Sequence, residues 1–274
     1  VNELFSLKDR TAVINGASGA IGGALARGFA KAGANLALTY NSNLAPVEAL
    51  GRELASLNIK ITTSRVDVQS EDMLRNHAEA TQDWFGATDI LVNCAGGNIE
   101  AAMTGDDVGF FDLNAQAIRD TLNLNVMGGA VLPCLAYGPN IANSTFGGSI
   151  INVTSMNSFR PLEGRPAYAA SKAAVNNFTQ WLASHLARTY STSLRVNAIA
   201  PGFFPNNRAR HTLFNENGTL SERGKRIVDL TPMGRLGNVE DLIGTAIWYA
   251  SDASRYITGT TTAVDGGFNA YAGV

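Results

Sequence analysis

Seven short runs along the chain are apolar or β-branched at most of their positions: TAVIN (11–15), NLALTY (35–40), KITTSRVDV (60–68), DILVNCA (89–95), SIINVTS (149–155), LRVNAIA (194–200) and TTTAVD (260–265). Most stay apolar over consecutive positions instead of alternating, the pattern of strands buried on both faces. Helix-length stretches separate them. GGALARGFAKAGA (22–34) sets Ala24, Leu25, Phe29 and Ala32 on one face and stops at Gly33, a residue suited to a helix C-terminus. AYAASKAAVNNFTQWLASHLARTY (167–190) is long and alanine-rich, and another helix is predicted near 114–138. Strand–helix alternation throughout predicts an α/β fold: one domain over 1–274, with a Rossmann-type, doubly wound, seven-stranded parallel sheet and helices on both faces. The stretch at about 201–230 is rich in Gly, Pro and polar residues and reads as a long irregular segment. Loops of that length in a compact domain are usually functional, and here the reading is a substrate lid.

Composition narrows the function classes. The chain has 274 residues, 45% of them apolar, and a formal net charge of only −2, so nothing calls for a nucleic-acid or anionic-membrane partner. Cys94 and Cys134 lie in different segments without metal spacing and read as buried thiols in a reducing compartment. No run approaches the roughly 18 apolar residues of a membrane span. The opening VNELFSLKDR lacks the apolar centre of a signal peptide. The expectation is a cytoplasmic protein acting on a small molecule, with no metal.

Three stretches carry candidate chemistry. NGASGAIG (15–22) joins the first strand to the first helix, where free N–H groups and the helix dipole attract phosphate. Gly16 suits the sharp turn and Gly22 a close approach, although a glycine-rich turn of this kind is often structural only. In DILVNCAGG the small residues Ala95, Gly96 and Gly97 leave room at a strand's carboxyl end, where ligands bind in open parallel sheets, or they form a tight turn. In YAASK, Tyr168 and Lys172 are four apart on one helix face. A phenol has an ordinary pKa of about 10, and a nearby ammonium would lower it toward working pH. Such pairs also occur on solvated helices. Ser155, at the end of the fifth strand and 13 residues before Tyr168, turns the pair into part of a constellation.

The conjunction of loop, N-C-A-G turn, serine and Tyr/Lys resembles the single-domain short-chain dehydrogenase/reductase family over nearly the whole chain, from TAVINGASGAIG to VDGG. The resemblance implies a catalytic tetrad of Asn125, Ser155, Tyr168 and Lys172. Tyr168 would exchange the proton with the carbonyl oxygen, Ser155 would hydrogen-bond the developing alkoxide, and Lys172 would lower the phenol pKa and hold the nicotinamide ribose. Asn125 would fix a water chain. The implied cofactor residues are Gly16, Ser18, Ala20, Ile21, Gly22, Tyr40, Asn41, Ser42, Asp67, Val68, Asn93, Ala95, Gly96, Tyr168, Lys172, Pro201, Gly202 and Phe203. The chain departs from the family pattern at Asn15, usually threonine, and at Ala20, usually the middle glycine of the loop. The expectation is that the Ala20 methyl holds the pyrophosphate slightly farther off while Gly19 supplies flexibility. PNNRAR after PGFF also lacks a threonine often found there.

The C-terminal runs SERGKRIVDLTPMGRLG and VDGGFNAYAGV, with the opening LFSLK and the CAGGN turn, resemble the sugar and sugar-acid branch that includes D-mannonate oxidoreductase. This implies a ketose, polyol or sugar-acid substrate. Tyr40, Asn41, Ser42 and Asn43 offer no carboxylate to repel a 2′-phosphate and no arginine to bind it, so NADP(H) is preferred to NAD(H). Asn98, Ser155, Asn157, Arg160 and Phe204 are the expected crevice-mouth residues. Arg208, Arg210, His211, Arg223, Lys225 and Arg226 of the lid either hold a sugar-acid carboxylate or form a solvated surface. A homotetramer is expected through helices 114–138 and 167–190, with a dimer as the alternative and FNAYAGV docking near a neighbouring subunit. Competing readings are a 3-oxoacyl-[acyl-carrier-protein] reductase and a dinucleotide-binding sensor without turnover.

Overall fold

A computed structural model describes residues 3–205 and 210–272. Each predicted run contributes a strand: β1 Thr11–Asn15, β2 Asn35–Tyr40, β3 Ile61–Arg65, β4 Ile90–Asn93, β5 Ser149–Val153, β6 Arg195–Pro201 and β7 Thr261–Val264. They form one sheet in the order β3-β2-β1-β4-β5-β6-β7, and every neighbouring pair is parallel. The helices are α1 Ala20–Lys31, α2 Ala45–Leu54, α3 Glu71–Phe85, α4 Ala115–Leu122, α5 Leu132–Ala142, α6 Pro166–Thr189, α7 Arg210–Leu213, α8 Glu222–Asp229 and α9 Ile243–Ala250. Successive strand residues point to opposite faces. Ile14 and Leu38 pack with Leu25 and Phe29 of α1, Val47 of α2 and Tyr249 of α9. Val13 and Ala37 pack on the other face with Leu74 of α3, Tyr137 of α5 and Leu182 of α6. Burial on both faces explains why the central runs read as continuous apolar stretches.

Three local expectations differ from the structure. The strand run 60–68 pairs only over Ile61–Arg65, because β3 is an edge strand with one neighbour and its partner β2 ends at Tyr40. The 114–138 helix is interrupted: α4, capped by the Asn114 side chain on the N–H groups of Gln116 and Ala117, runs into a π-helical stretch Asn123–Val131 before α5. The segment 201–230 is not irregular throughout. It carries α7 and α8, the latter capped by Ser221 Oγ accepting from Gly224 N at 3.0 Å. Its glycines and prolines concealed a two-turn amphipathic helix that buries Gly224 and Ile227.

The C-terminal segment docks on its own chain. Phe268 is buried edge-on against Phe203, with ring centroids 5.1 Å apart, and Arg160 donates to the carbonyls of Asn269 and Tyr271. Among the described residues no helix is long and apolar enough to cross a membrane. Cys94 and Cys134 are free thiols, pushed up by burial to about 11 and about 12.

The strand order reverses between β1 and β4, and ligands of open α/β sheets bind at the carboxyl ends there. A buried line of side-chain hydrogen bonds crosses the sheet at that level. Thr39 Oγ1 donates to Asn15 Oδ1, Asn15 Nδ2 to Asn93 Oδ1, Asn93 Nδ2 to Asn152 Oδ1 and Asn152 Nδ2 to Thr179 Oγ1, over 2.9–3.2 Å. Replacing Asn152 by Ala leaves the buried Asn93 amide only the weak Cys134 Sγ acceptor at 3.6 Å and should destabilise the chain by about 1–3 kcal/mol in urea unfolding. A change below about 0.5 kcal/mol, the range of ordinary surface substitutions, would show that the line is not holding the strands together.

Candidate active site

β1 passes into α1 through a turn that only glycine fits. Gly16 has φ +83°, and a Cβ there would lie 3.0 Å from Ala95 N at the exit of β4, while a Cβ on Gly22 would overlap Gly16 O. The loop is thus clamped between the first turn of α1 and the turn after β4. Gly19 caps α1 without a side-chain hydrogen bond, so the N–H groups of Ala20 and Ile21 have no acceptor within the helix. This cradle fits a pyrophosphate. Gly19 has φ −79° and ψ 159°, angles open to any residue, and the left-handed conformation of the loop is at Gly16. Ala20 is exposed as the first helical residue and Ser18 is half-buried.

Beyond this loop lie the residues expected near the adenosine. Tyr40 is half-buried, and Asn41 and Ser42 are exposed. Asp67 Oδ1 accepts from Gln69 N at 3.0 Å, and Val68 is buried against the helix at Gly128. One cation here was not anticipated. Arg65, in register with Tyr40 across the β2–β3 ladder, donates from Nε to Asn41 O at 3.1 Å. The signal was the position of an arginine at the carboxyl end of the strand beside β2, visible only once that register is known. Arg27, by contrast, is held in a two-point ion pair by Glu53 of α2.

The four residues of the implied tetrad converge on the ends of β4 and β5. Ser155 lies two residues past β5 in extended conformation, and its Oγ accepts from Asn157 N at 3.2 Å and Asn157 Nδ2 at 3.3 Å. Tyr168 and Lys172 rise from the first turns of α6. Burial pushes the Tyr168 phenol up, while a hydrogen bond with Ser155 and the charge of Arg165 pull it down. Lys172 Nζ donates to Val153 O at 2.8 Å and sits 5.6 Å from the centre of the Tyr168 ring. Desolvation pushes it down to about 8. Ser155 and Arg165 lower the phenol, and the Lys172 ammonium stands beside its ring. Asn125, in the π-helical stretch, uses its amide to grip the chain: Nδ2 donates to Gly97 O and Thr121 O, both at 2.8 Å, and Oδ1 accepts from Gly97 N at 3.0 Å. A Cβ on Gly96 would lie 2.6 Å from Asn125 Oδ1 and 3.6 Å from Lys172 Nζ, so this turn closes directly over the lysine. Asn93 and Ala95 complete the β4 end. Gly202 N donates to Val264 O at 3.0 Å, which fixes Pro201 and Gly202 against β7.

The expected substrate residues divide. Asn98 is exposed at the mouth, and Ser155 lies inside it. Asn157 is buried, holding Ser155 with its amide and Leu162 N with its Oδ1 at 3.0 Å, so it orders the rim. Phe204 is 7% exposed and packs against Gly237, and with Phe203 it lines a cavity beside Gly266. The Arg160 guanidinium is engaged by the carbonyls of Asn269 and Tyr271. Arg208 and the side chain of His211 lie outside the described residues. Of the other basic residues of this segment, Arg210 sits over Phe214 at 5.5 Å and Lys225 pairs with Glu222 at 2.7 Å.

The family described as enoyl-(acyl carrier protein) reductase matches residues 16–269. A 2-dehydro-3-deoxy-D-gluconate 5-dehydrogenase of Dickeya dadantii is 34% identical over 96% of this chain and 97% of the relative. A solved structure from Haemophilus influenza, provisionally named a D-mannonate oxidoreductase and holding NAD, is 34% identical with a TM-score of 0.89 over 98% of each chain. A gluconate 5-dehydrogenase of Burkholderia cenocepacia, solved with NADP and tartrate, is 28% identical with a TM-score of 0.85 over 99% of each chain. With the parallel sheet, the glycine cradle and the Ser155–Tyr168–Lys172 cluster in place, these matches establish that the chain belongs to the short-chain dehydrogenase/reductase family of oxidoreductases.

Proposed function

We propose that the chain is an NADP(H)-preferring oxidoreductase that interconverts a carbonyl and a secondary alcohol on a ketose, polyol or sugar acid. The observation that carries this reading is the convergence of Ser155, Tyr168 and Lys172 at the sheet ends beside a phosphate cradle. The bound dinucleotide supplies a hydride donor or acceptor. The chain's own residues manage the proton. The phenol, raised by burial, stays protonated near neutral pH and serves as the acid for reduction. Ser155 and Arg165 stabilise its anion when the reaction runs toward oxidation. Ser155 Oγ, held by Asn157, also faces the charge that develops on the substrate oxygen. Lys172, Asn125 and the Gly96–Gly97 turn form the wall behind the phenol and hold the ribose side of the cofactor.

Arg65 supports the NADP(H) preference: it places a positive charge beside Asn41 where no carboxylate stands at 40–43. The sugar and sugar-acid class rests on the names of the Dickeya, Haemophilus and Burkholderia proteins. The residues 201–230 serve as the lid. A tetramer built through α5 and α6 is supported by Leu135 and Trp181, 67% and 58% exposed on those helices.

The catalytic reading predicts that Tyr168→Phe keeps NADPH binding, read by fluorescence titration, but loses at least about a thousandfold in kcat, at or above the upper part of the general-acid range. Retained turnover would sink it and favour a sensor without chemistry. A panel of ketoses, polyols and hexuronates should give a higher kcat/KM with NADPH than with NADH. Arg65→Ala should shrink that ratio by roughly tenfold, as expected for one charge-assisted contact. Sedimentation should show four copies, and Leu135→Glu should lower the mass. An unchanged mass would place the subunit contact elsewhere.

A further inference from the structure

Ser155 is held in the turn after β5 as an acceptor. Its carbonyl takes the N–H of Ser158 at 2.9 Å and the Ser158 hydroxyl at 2.7 Å. Its Oγ takes Asn157 N at 3.2 Å and Asn157 Nδ2 at 3.3 Å. The amide of Asn157 cannot be turned over, because Leu162 N, which can only donate, lies 3.0 Å from its Oδ1. Nδ2 is therefore the atom that faces Ser155. A serine hydroxyl has two acceptor sites and one proton. Asn157 fills both sites, so the proton is the bonding capacity that Ser155 Oγ keeps. Both residues are buried, which limits competition from solvent for these positions. The bond that joins Ser155 to the Tyr168 phenol is then one that Ser155 donates.

We propose that Asn157 is a positioning residue for the oxidoreduction: by occupying both acceptor sites of Ser155 Oγ, it makes that hydroxyl a donor only, directed at the substrate oxygen. This assignment rests on the catalytic reading above and adds to it a residue that acts through Ser155. In reduction, hydride arrives at the carbonyl carbon, the C=O π pair moves onto oxygen, and that oxygen takes the Tyr168 proton. Ser155 keeps its own proton and shares it with the developing alkoxide throughout. A serine with a vacant acceptor site would instead accept a hydrogen bond from Tyr168, and the acid would point away from the substrate. In oxidation the same polarity lets Ser155 donate to the alcohol oxygen while the alcohol proton passes to the phenolate.

Asn157→Asp separates this role from the packing of the rim. The exchange keeps an oxygen for Leu162 N and puts a second oxygen, able only to accept when ionised, in the place of Nδ2. The Ser155 proton is then drawn to that oxygen and away from the substrate. Kinetics are measured on the cofactor-loaded protein with the sugar or sugar acid of the panel that is turned over fastest. In Asn157→Asp kcat should fall by roughly ten- to a hundredfold, as for a lost hydrogen bond to a charged group, with KM changed by less than about threefold. Asn157→Ala removes the donor and the Leu162 tie but adds no acceptor, so its loss should be the smaller of the two. In Ser155→Ala no hydroxyl remains to redirect, and there Asn157→Asp should cost roughly tenfold less than in the wild type. The rise of the oxidation rate with pH should move up by about one unit in Asn157→Asp, because Ser155 no longer stabilises the phenolate. Equal factors in the two backgrounds, a larger loss in Asn157→Ala than in Asn157→Asp, or a loss confined to KM overturns the assignment. If the wild type turns over no sugar of the panel, the sugar reading fails and the phenol itself decides on Asn157. The part of the alkaline phenolate absorbance that Tyr168→Phe removes should then titrate at higher pH in Asn157→Asp, and an unshifted titration overturns the assignment.

Discussion

Thr39, Asn15, Asn93, Asn152 and Thr179 are joined head to tail by side-chain hydrogen bonds beneath the crevice. Each of them is buried. A buried amide without a partner is unfavourable, so each link constrains the next. The line starts at β2, crosses β1, β4 and β5, and ends on α6, the helix that carries Tyr168 and Lys172. The strand ends that bear the phosphate loop and the helix that bears the proton donor are therefore referenced to the same row of side chains. Asn15, where threonine is usual in the family, reaches both ways, as Asn93 and Asn152 do, accepting from Thr39 and donating to Asn93. Its place in the line gives a physical account of that departure.

Around this row the glycines set distances. Gly16, Gly22 and Ala95 pack so closely that the loop after β1 and the turn after β4 behave as one unit. Gly96 performs the same service at the catalytic end, letting the chain pass between Asn125 and Lys172. Burial then differentiates the titrating groups. The Tyr168 phenol is raised and the Lys172 ammonium lowered, each toward its neutral form. Ser155 and Arg165 restore part of the anion's stability.

Much of this was legible because it is written in periodicity and in glycine. Six strands lie within their apolar runs and β6 passes its run by one residue, while α1 and α6 fall within three residues of their predicted limits. The Tyr168–Lys172 spacing and the N-C-A-G turn likewise needed only local sequence. What stayed hidden depends on tertiary register or on competition between partners. Arg65 becomes relevant only when β3 is paired with β2 so that it stands opposite Tyr40. The engagement of Arg160 by the carbonyls of Asn269 and Tyr271, and the seat of Phe204 against Gly237, likewise depend on how the C-terminal segment and the chain after β6 pack. α8 was obscured because its Gly224 and flanking prolines are loop residues by composition, while its burial is helical by position.

The π-helical stretch between α4 and α5 has a consequence for how chains of this kind can change in length. A π turn holds one more residue than an α turn, and Asn125 sits inside the widened segment while Leu132 N still reaches back five residues to Met127 O. Losing a single residue from 123–131 would let the stretch relax to α geometry and turn everything beyond it by about 100°. Tyr137 and Ile141 would swing out of the core, or Asn125 would swing away from Gly97. Substitutions on the outward face of these helices leave that phase intact, whereas a one-residue insertion or deletion does not. Drift in this helix is thus confined to composition, and its length is fixed by the need to satisfy the core and the crevice at once.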